Sequence, residues 1–226
     1  MALRMIYYQR IPELDKIQHK KETFRKSFLK VLAIPEYLSF CAYCFLLTLF
    51  TGACPQIFNL IEKDVLHLSK VEMVFIGNLL VVGALAGFFL GGRLVDRFGT
   101  KYVFLWCHFG FGLILFLFLW RDVFPGEVQI IVGILTILFG MVQAASSIAM
   151  TSETLVLIPV ENKSLATGLW FTLYSGGIGL SGVLSGQALE LGLLSDSWSW
   201  FGQAMSRYDG LLMLCGSMVL LMTVTL

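Results

Sequence analysis

The chain has 226 residues, of which 57% are apolar, including 19 Phe, and only 14% are charged, with a net charge of +1. This balance lies far from that of a soluble domain and makes lipid the expected solvent. It excludes a nucleic-acid surface, since no basic stripe with interleaved aromatics accompanies a soluble fold.

The first 34 residues form a charged leader. A signal peptide is not expected, because the first apolar run long enough to serve begins only at Pro35. Phe24, Phe28, Val31 and Leu32 recur at helical spacing beside Arg25, Lys26 and Lys30. That pattern predicts an amphipathic helix lying on the cytoplasmic surface of the bilayer.

From Pro35 onward, uncharged runs predict six spans: 35–59, 73–92, 102–120, 128–152, 164–189 and 210–226. Each is near the roughly 20 residues that cross the hydrocarbon core as a helix. The expected fold is therefore all-α, a polytopic bundle of six transmembrane helices over residues 35–226, and no strand is expected. The last run, 17 residues from Gly210 to Leu226, lacks a cationic anchor and reads as cut short. The preceding connection, 190–209, holds Trp198, Trp200, Phe201 and Tyr208, suited to the headgroup belt. No three-plus-three internal repeat is visible.

Lysine and arginine set the expected orientation. The leader, the connection after span two (Arg93, Arg97, Lys101) and the one after span four (Lys163) carry twelve cations, against four in the alternate connections: Lys63, Lys70, Arg121 and Arg207. Both termini are thus expected in the cytoplasm, with the protein in the plasma, or inner, membrane. The acids Glu62, Asp64, Glu72, Asp122 and Asp209 are read as lying in outer connections. No buried carboxylate is expected at mid-membrane, which argues against proton coupling through this bundle.

The five cysteines fall in apolar runs and read as small buried hydrophobes, without disulfides. Cys41 and Cys44 share a helix face, but no second pair or nearby His completes a zinc site, and neither metal nor cofactor is expected. Within the spans, Gln56, Asn59, Asn78, His108, Gln143, Ser146, Ser147, Tyr174 and Gln187 are polar. Pro55 beside Gln56 is placed to break the first span, and Gln143 sits near mid-span. Gln56, Asn78 and Gln143 are the candidates for a substrate path. Gly83, Gly87 and Gly91, and again Gly182 and Gly186, recur every fourth residue and suit close helix packing.

Between spans two and three runs Gly92-Arg93-Leu94-Val95-Asp96-Arg97-Phe98-Gly99-Thr100-Lys101. It resembles the signature of the major facilitator superfamily at Gly92, Asp96, Arg97, Gly99 and Lys101, with Tyr102 where a second basic residue is often found. Glu153, followed by Leu157-Ile158-Pro159-Val160-Glu161-Asn162-Lys163, resembles the exit from the fourth helix of a half in the same superfamily, with Lys163 in place of Arg. Pro159 is expected to end that span and Asn162 to cap the next.

The resemblance implies transport of a small solute by alternating access, with the solute site between two six-helix halves. The chain is then the second half of a secondary transporter rather than an enzyme, and its partners are the solute, the bilayer and a missing N-terminal half. Gly92, Asp96, Arg97, Gly99, Lys101 and Glu153 are implied to gate. Two other readings remain: a self-sufficient homodimeric carrier or channel, and a rhomboid-like intramembrane protease suggested by Gly179-Leu180-Ser181-Gly182. The latter needs a histidine base that the sixth span lacks.

Overall fold

The computed structural model describes residues 24–122, 127–158, 162–195 and 198–224. Residues 1–23, Pro159, Glu161 and Ser197 lie outside them, and with them most of the leader and the expected helix stop at Pro159. The elements are α1 (Phe24–Leu32), α2 (Pro35–Thr51), α3 (Cys54–Leu60), a π-helical turn (Ile61–Val65), α4 (Lys70–Phe98), α5 (Thr100–Leu119), α6 (Val128–Leu157), α7 (Lys163–Glu190), the strands β1 (Trp198–Trp200) and β2 (Gln203–Met205), and α8 (Arg207–Val224).

The chain is an all-α membrane protein whose long helices pack as one bundle. Five segments are long and apolar enough to span a bilayer: Pro35–Val65, Lys70–Phe98, Thr100–Leu119, Val128–Leu157 and Arg207–Val224. The sixth expected span, α7, has the length, at 28 residues, but its Gly, Ser and Thr dilute its apolarity. At about 1.5 Å per residue, the 29-residue α4 is some 40 Å long and outreaches the hydrocarbon core.

The first span is interrupted. Pro55 has no N–H to give, and α2 stops at Thr51 before α3 begins at Cys54. The exposed amide at the gap is taken up by a neighbour: Ala53 N–H donates to Ser181 Oγ of α7 at 2.9 Å. Gln56, with its amide nitrogen turned inward, donates to the carbonyls of Gly52 (3.0 Å) and Ala53 (3.1 Å). Three more contacts join α2 to α7: Tyr37 Oη donates to the Ala166 carbonyl, Thr48 Oγ1 to that of Tyr174 at 3.2 Å, and Gly177 sits against Phe45 and Thr48.

Helix α4 lies on α6 through its glycines. A methyl group at Gly83 or Gly87 would strike the backbone of Ile137 or Met141, and one at Gly91 would come within 2.7 Å of Ala145 Cα. Helix α5 packs on α6 and α8. Phe58 of α3 stacks on Phe118 of α5 at 4.2 Å and meets Phe139 of α6 edge-on at 5.1 Å, which locks three helices together.

Lesser packing joins the first span to α6 and α8, α4 to α5, and α7 to α8. Exchanging the first three spans for the last three (α2 with α3 for α6, α4 for α7, α5 for α8) leaves this set of packed pairs unchanged: the first span–α6 and α5–α8 pairs map onto themselves and every other pair maps onto another in the set. Since three is odd, each span and its counterpart run in opposite directions, the arrangement of an inverted repeat. The repeat is carried by the packing and is not legible in the residues.

Three expectations need correction. The signature is not a loop: α4 continues to Phe98, α5 starts at Thr100, and Gly99 alone joins them, at φ 83°, a conformation that favours glycine. Two short strands do form, pairing Trp198 with Met205 and Trp200 with Gln203 around a turn whose residues, Phe201 and Gly202, both have positive φ. Asn162 precedes α7, but its side chain makes no capping hydrogen bond.

Helix α1 forms as the spacing predicts, and it docks through buried Val31. At the end of the bundle away from Gly99, a capping box at Ser69 and Glu72 opens α4, and Gln129 of α6 donates to Glu72 at 3.0 Å.

The same end holds charges that the sequence places in outer connections but the fold buries. Arg121 is 1% exposed and Asp209 0%, and they form a bidentate pair with Nη1 to Oδ1 at 2.6 Å and Nη2 to Oδ2 at 3.3 Å. Ser206 adds its backbone N–H (2.8 Å) and hydroxyl (2.7 Å) to Asp209 Oδ2. Removing one member of such a pair strands a buried charge, at a cost of about 3–5 kcal/mol. Asp209→Ala should therefore lower stability by that amount in a denaturant titration of the detergent-solubilised protein. The double change Arg121→Met with Asp209→Leu should recover most of it. A single-mutant loss under about 1 kcal/mol, the worth of an exposed pair, would contradict the burial.

Candidate functional site

The expected gating residues divide between the Gly99 connection and a cleft beside it. Asp96 and Arg97, on the last turn of α4, are exposed. Arg97 lies over the Phe98 ring at 5.3 Å and Arg93 over Phe89 at 4.0 Å, so both cations rest on aromatic faces of their own helix. Asp96 makes no hydrogen bond or ion pair among the described residues. Nothing lies within 4 Å of where a Cβ would stand at Gly92 or Gly99, so packing inside this bundle explains neither glycine.

Lys101 and Glu153 are brought together. With Thr100 and Phe104 of α5 and with Phe40 and Tyr43 of α2, they line a cleft of about 250 Å³. It opens at the same end as Gly99. Under it, Tyr43 and His108 approach ring to ring at 5.3 Å. His108 is buried, with Nδ1 held 2.6 Å from the Phe104 carbonyl. Its Nε2 and the Tyr43 hydroxyl have no hydrogen-bond partner among the described residues.

The three substrate-path candidates lie on three different helices, α3, α4 and α6. Gln56 is exposed and turned onto the carbonyls of the helix break, Asn78 is exposed on α4, and Gln143 is half-buried on α6. Neither Asn78 nor Gln143 makes a hydrogen bond among the described residues. Asn59 and Gln187 are exposed as well. On α7, a Cβ at Gly176, Gly179, Gly182 or Gly186 would meet nothing within 4 Å, unlike the α4 glycines. The expected close packing at Gly182 and Gly186 is therefore absent within this bundle. A polar and small-residue surface is left open on helices that otherwise belong in lipid.

Ser181, the serine of the protease-like motif, is buried and accepts the Ala53 N–H. Its hydroxyl is committed to closing the helix break, and no histidine bonds to it among the described residues. The five cysteines are buried and unbridged.

Sequence reading missed Glu62, Arg121 and Asp209 as buried groups. A signal was available: each lies within a few residues of an apolar run, and Glu62 directly follows Ile61 on the extension of the first span. Glu62 is 1% exposed, on the π-helical turn, and its Oε2 is unpartnered.

No curated protein matches the chain in sequence. The family model of the Major Facilitator Superfamily matches residues 2–226. With long apolar helices packed as one bundle, and with the signature residues flanking the one-residue connection at Gly99, the chain belongs to the major facilitator superfamily of membrane transport proteins.

Proposed function

We propose that the chain is the second six-helix half of a secondary transporter and moves a small solute by alternating access against an N-terminal half. The observation that carries this reading is the open surface on α3, α4 and α7. Gln56, Asn59, Asn78 and Gln187 are exposed there, beside glycines with no neighbour. A polar side chain facing hydrocarbon is unfavourable by about 1–3 kcal/mol. Glycine stripes on spanning helices let a second backbone approach closely, as the α4 glycines do against α6. A second bundle would cover both features and enclose a water-filled path beside Gln56, Asn78 and Gln143. The unpartnered Asp96 fits the same picture as a latch whose cation or helix end belongs to the other half. In this reading Lys101 and Glu153 act at the inner gate, residues 1–34 link the halves, and both termini lie in the cytoplasm of a plasma or inner membrane.

Single cysteines placed at Thr100 and at Ser69 should react with impermeant reagents from opposite faces, Thr100 from the cytoplasm. Reaction of Ser69→Cys only from the cytoplasmic face would overturn the orientation. In the complete transporter, Asp96→Asn should cut uptake severalfold while leaving membrane insertion unchanged, and wild-type uptake would remove the latch. The chain alone, reconstituted in liposomes and tested across a solute panel, should give no saturable uptake, whereas co-expression with an N-terminal half should restore it. Uptake by the chain alone at rates near those of the pair would favour the homodimeric carrier instead.

A further inference from the structure

Glu62 is a buried carboxylate with no ion pair among the described residues. It sits on the π-helical turn Ile61–Val65 that prolongs the first span, is 1% exposed, and has Oε2 unpartnered. Single π turns recur at functional positions because they widen a helix at the expense of regular packing. His67, Lys70 and Glu127 lie at the same end of the bundle and none of them bonds to Glu62, and further charged and titratable groups there are committed to other partners. Lys63 pairs with Asp64 at 3.9 Å, and Tyr208 Oη of α8 donates to Asp64 Oδ2 at 2.6 Å. Arg207 donates to Tyr208 Oη at 3.3 Å. Arg121 is taken by Asp209 and approaches Asp122 at 3.8 Å, and Glu72 is taken by Ser69 and Gln129. Among the described residues, no cation lies within ion-pair distance of Glu62.

A buried, unpaired carboxyl is stable only in its neutral form. A metal cation is the poorer occupant, because it needs several oxygen or nitrogen ligands, and no group of three or more His, Cys, Asp or Glu side chains gathers among the described residues. The turn is held against α8 by the Asp64–Tyr208 hydrogen bond, and Asp64 is itself partly exposed. Separating that pair would let water reach Glu62.

We propose that Glu62 is a proton-binding site: its carboxyl holds a proton while the π-helical turn is docked on α8 and releases it to solvent at that end when the turn opens. The step is a simple equilibrium, carboxylate plus proton giving carboxylic acid, with the proton drawn from and returned to water. It rests on the transport reading only for what the proton would drive, and it revises the expectation that this bundle lacks a group able to couple to protons.

The test is infrared spectroscopy of the chain in lipid nanodiscs across a pH titration, with helicity checked by circular dichroism. The wild-type chain should retain a protonated-carboxyl stretching band at neutral pH. Glu62→Gln should abolish it, Glu62→Asp should shift it, and Asp122→Asn should leave it unchanged. Tyr208→Phe, which frees Asp64 from α8, should move the band's disappearance to lower pH. A folded wild-type chain without the band, or a band that survives Glu62→Gln, would overturn the proposal. No uptake is measured, so a negative result leaves the transport reading intact, and failure of transport leaves the proton site intact.

Discussion

A helix inside hydrocarbon has no water to turn to, so wherever its ladder of hydrogen bonds is cut, side chains or a neighbouring helix must supply replacements. In this chain the cut lies at Gly52 and Ala53, where Pro55 removes a donor, and the replacements come from Gln56 on the same span and Ser181 on α7. The break therefore ties the first span to α7. Thr48 and Gly177 meet on the same helix pair, so the contact is fixed along its length as well as at the break. Its counterpart under the inverted repeat is the α4–α6 pair, which reaches the same closeness by glycines facing backbone. One pair is held by hydrogen bonds and the other by shape, and the bundle hangs from both.

The two ends of the bundle are built differently. At the Gly99 end, the connection between α4 and α5 is a single glycine, Asp96 has no ion pair among the described residues, and Lys101 and Glu153 share an open cleft. At the other end, a capping box, the Arg121–Asp209 pair, the Asp64–Tyr208 bond and a two-strand hairpin tie connections to helices. Phe201 at the hairpin tip is 79% exposed, with Trp120 and Trp200 against it at 6.1 and 5.1 Å. Such a cluster suits the headgroup layer. Exposed Asp96 and the open cleft thus lie at one end, while hydrogen-bonded connections, with the unpartnered Glu62 among them, lie at the other.

Much of this was legible in the residues. Run lengths located the spans, Pro55 located the break, and Gly83, Gly87 and Gly91 announced a close helix contact that the fold provides. What escaped has physical reasons. Counting charges cannot separate a polar connection from a helix end, so α4 and α6 run past their uncharged stretches, and the signature became helix except at Gly99. Proximity of charges at the end of the bundle is a tertiary fact, so Arg121 and Asp209, 88 positions apart, read as unrelated loop residues. The same limit hides the inverted repeat, since packing constrains only residue size at the contacts. The glycines of α7 were read like those of α4, because spacing reports a small face but not whether anything lies on it.

That unoccupied face is where the account is most exposed to contradiction. If a second six-helix half covers α7, a nitroxide spin label on Gly182 in the reconstituted two-half complex should show low oxygen accessibility. The same label on Leu85 of α4 should report whether that face, too, is covered. Phe109 of α5, which is exposed on this bundle, supplies the reference. Measuring oxygen accessibility at Gly182 against Phe109 is the most direct test. The account predicts a clear drop at Gly182 on adding the N-terminal half, and accessibility equal to that at Phe109 in the presence of that half would contradict it.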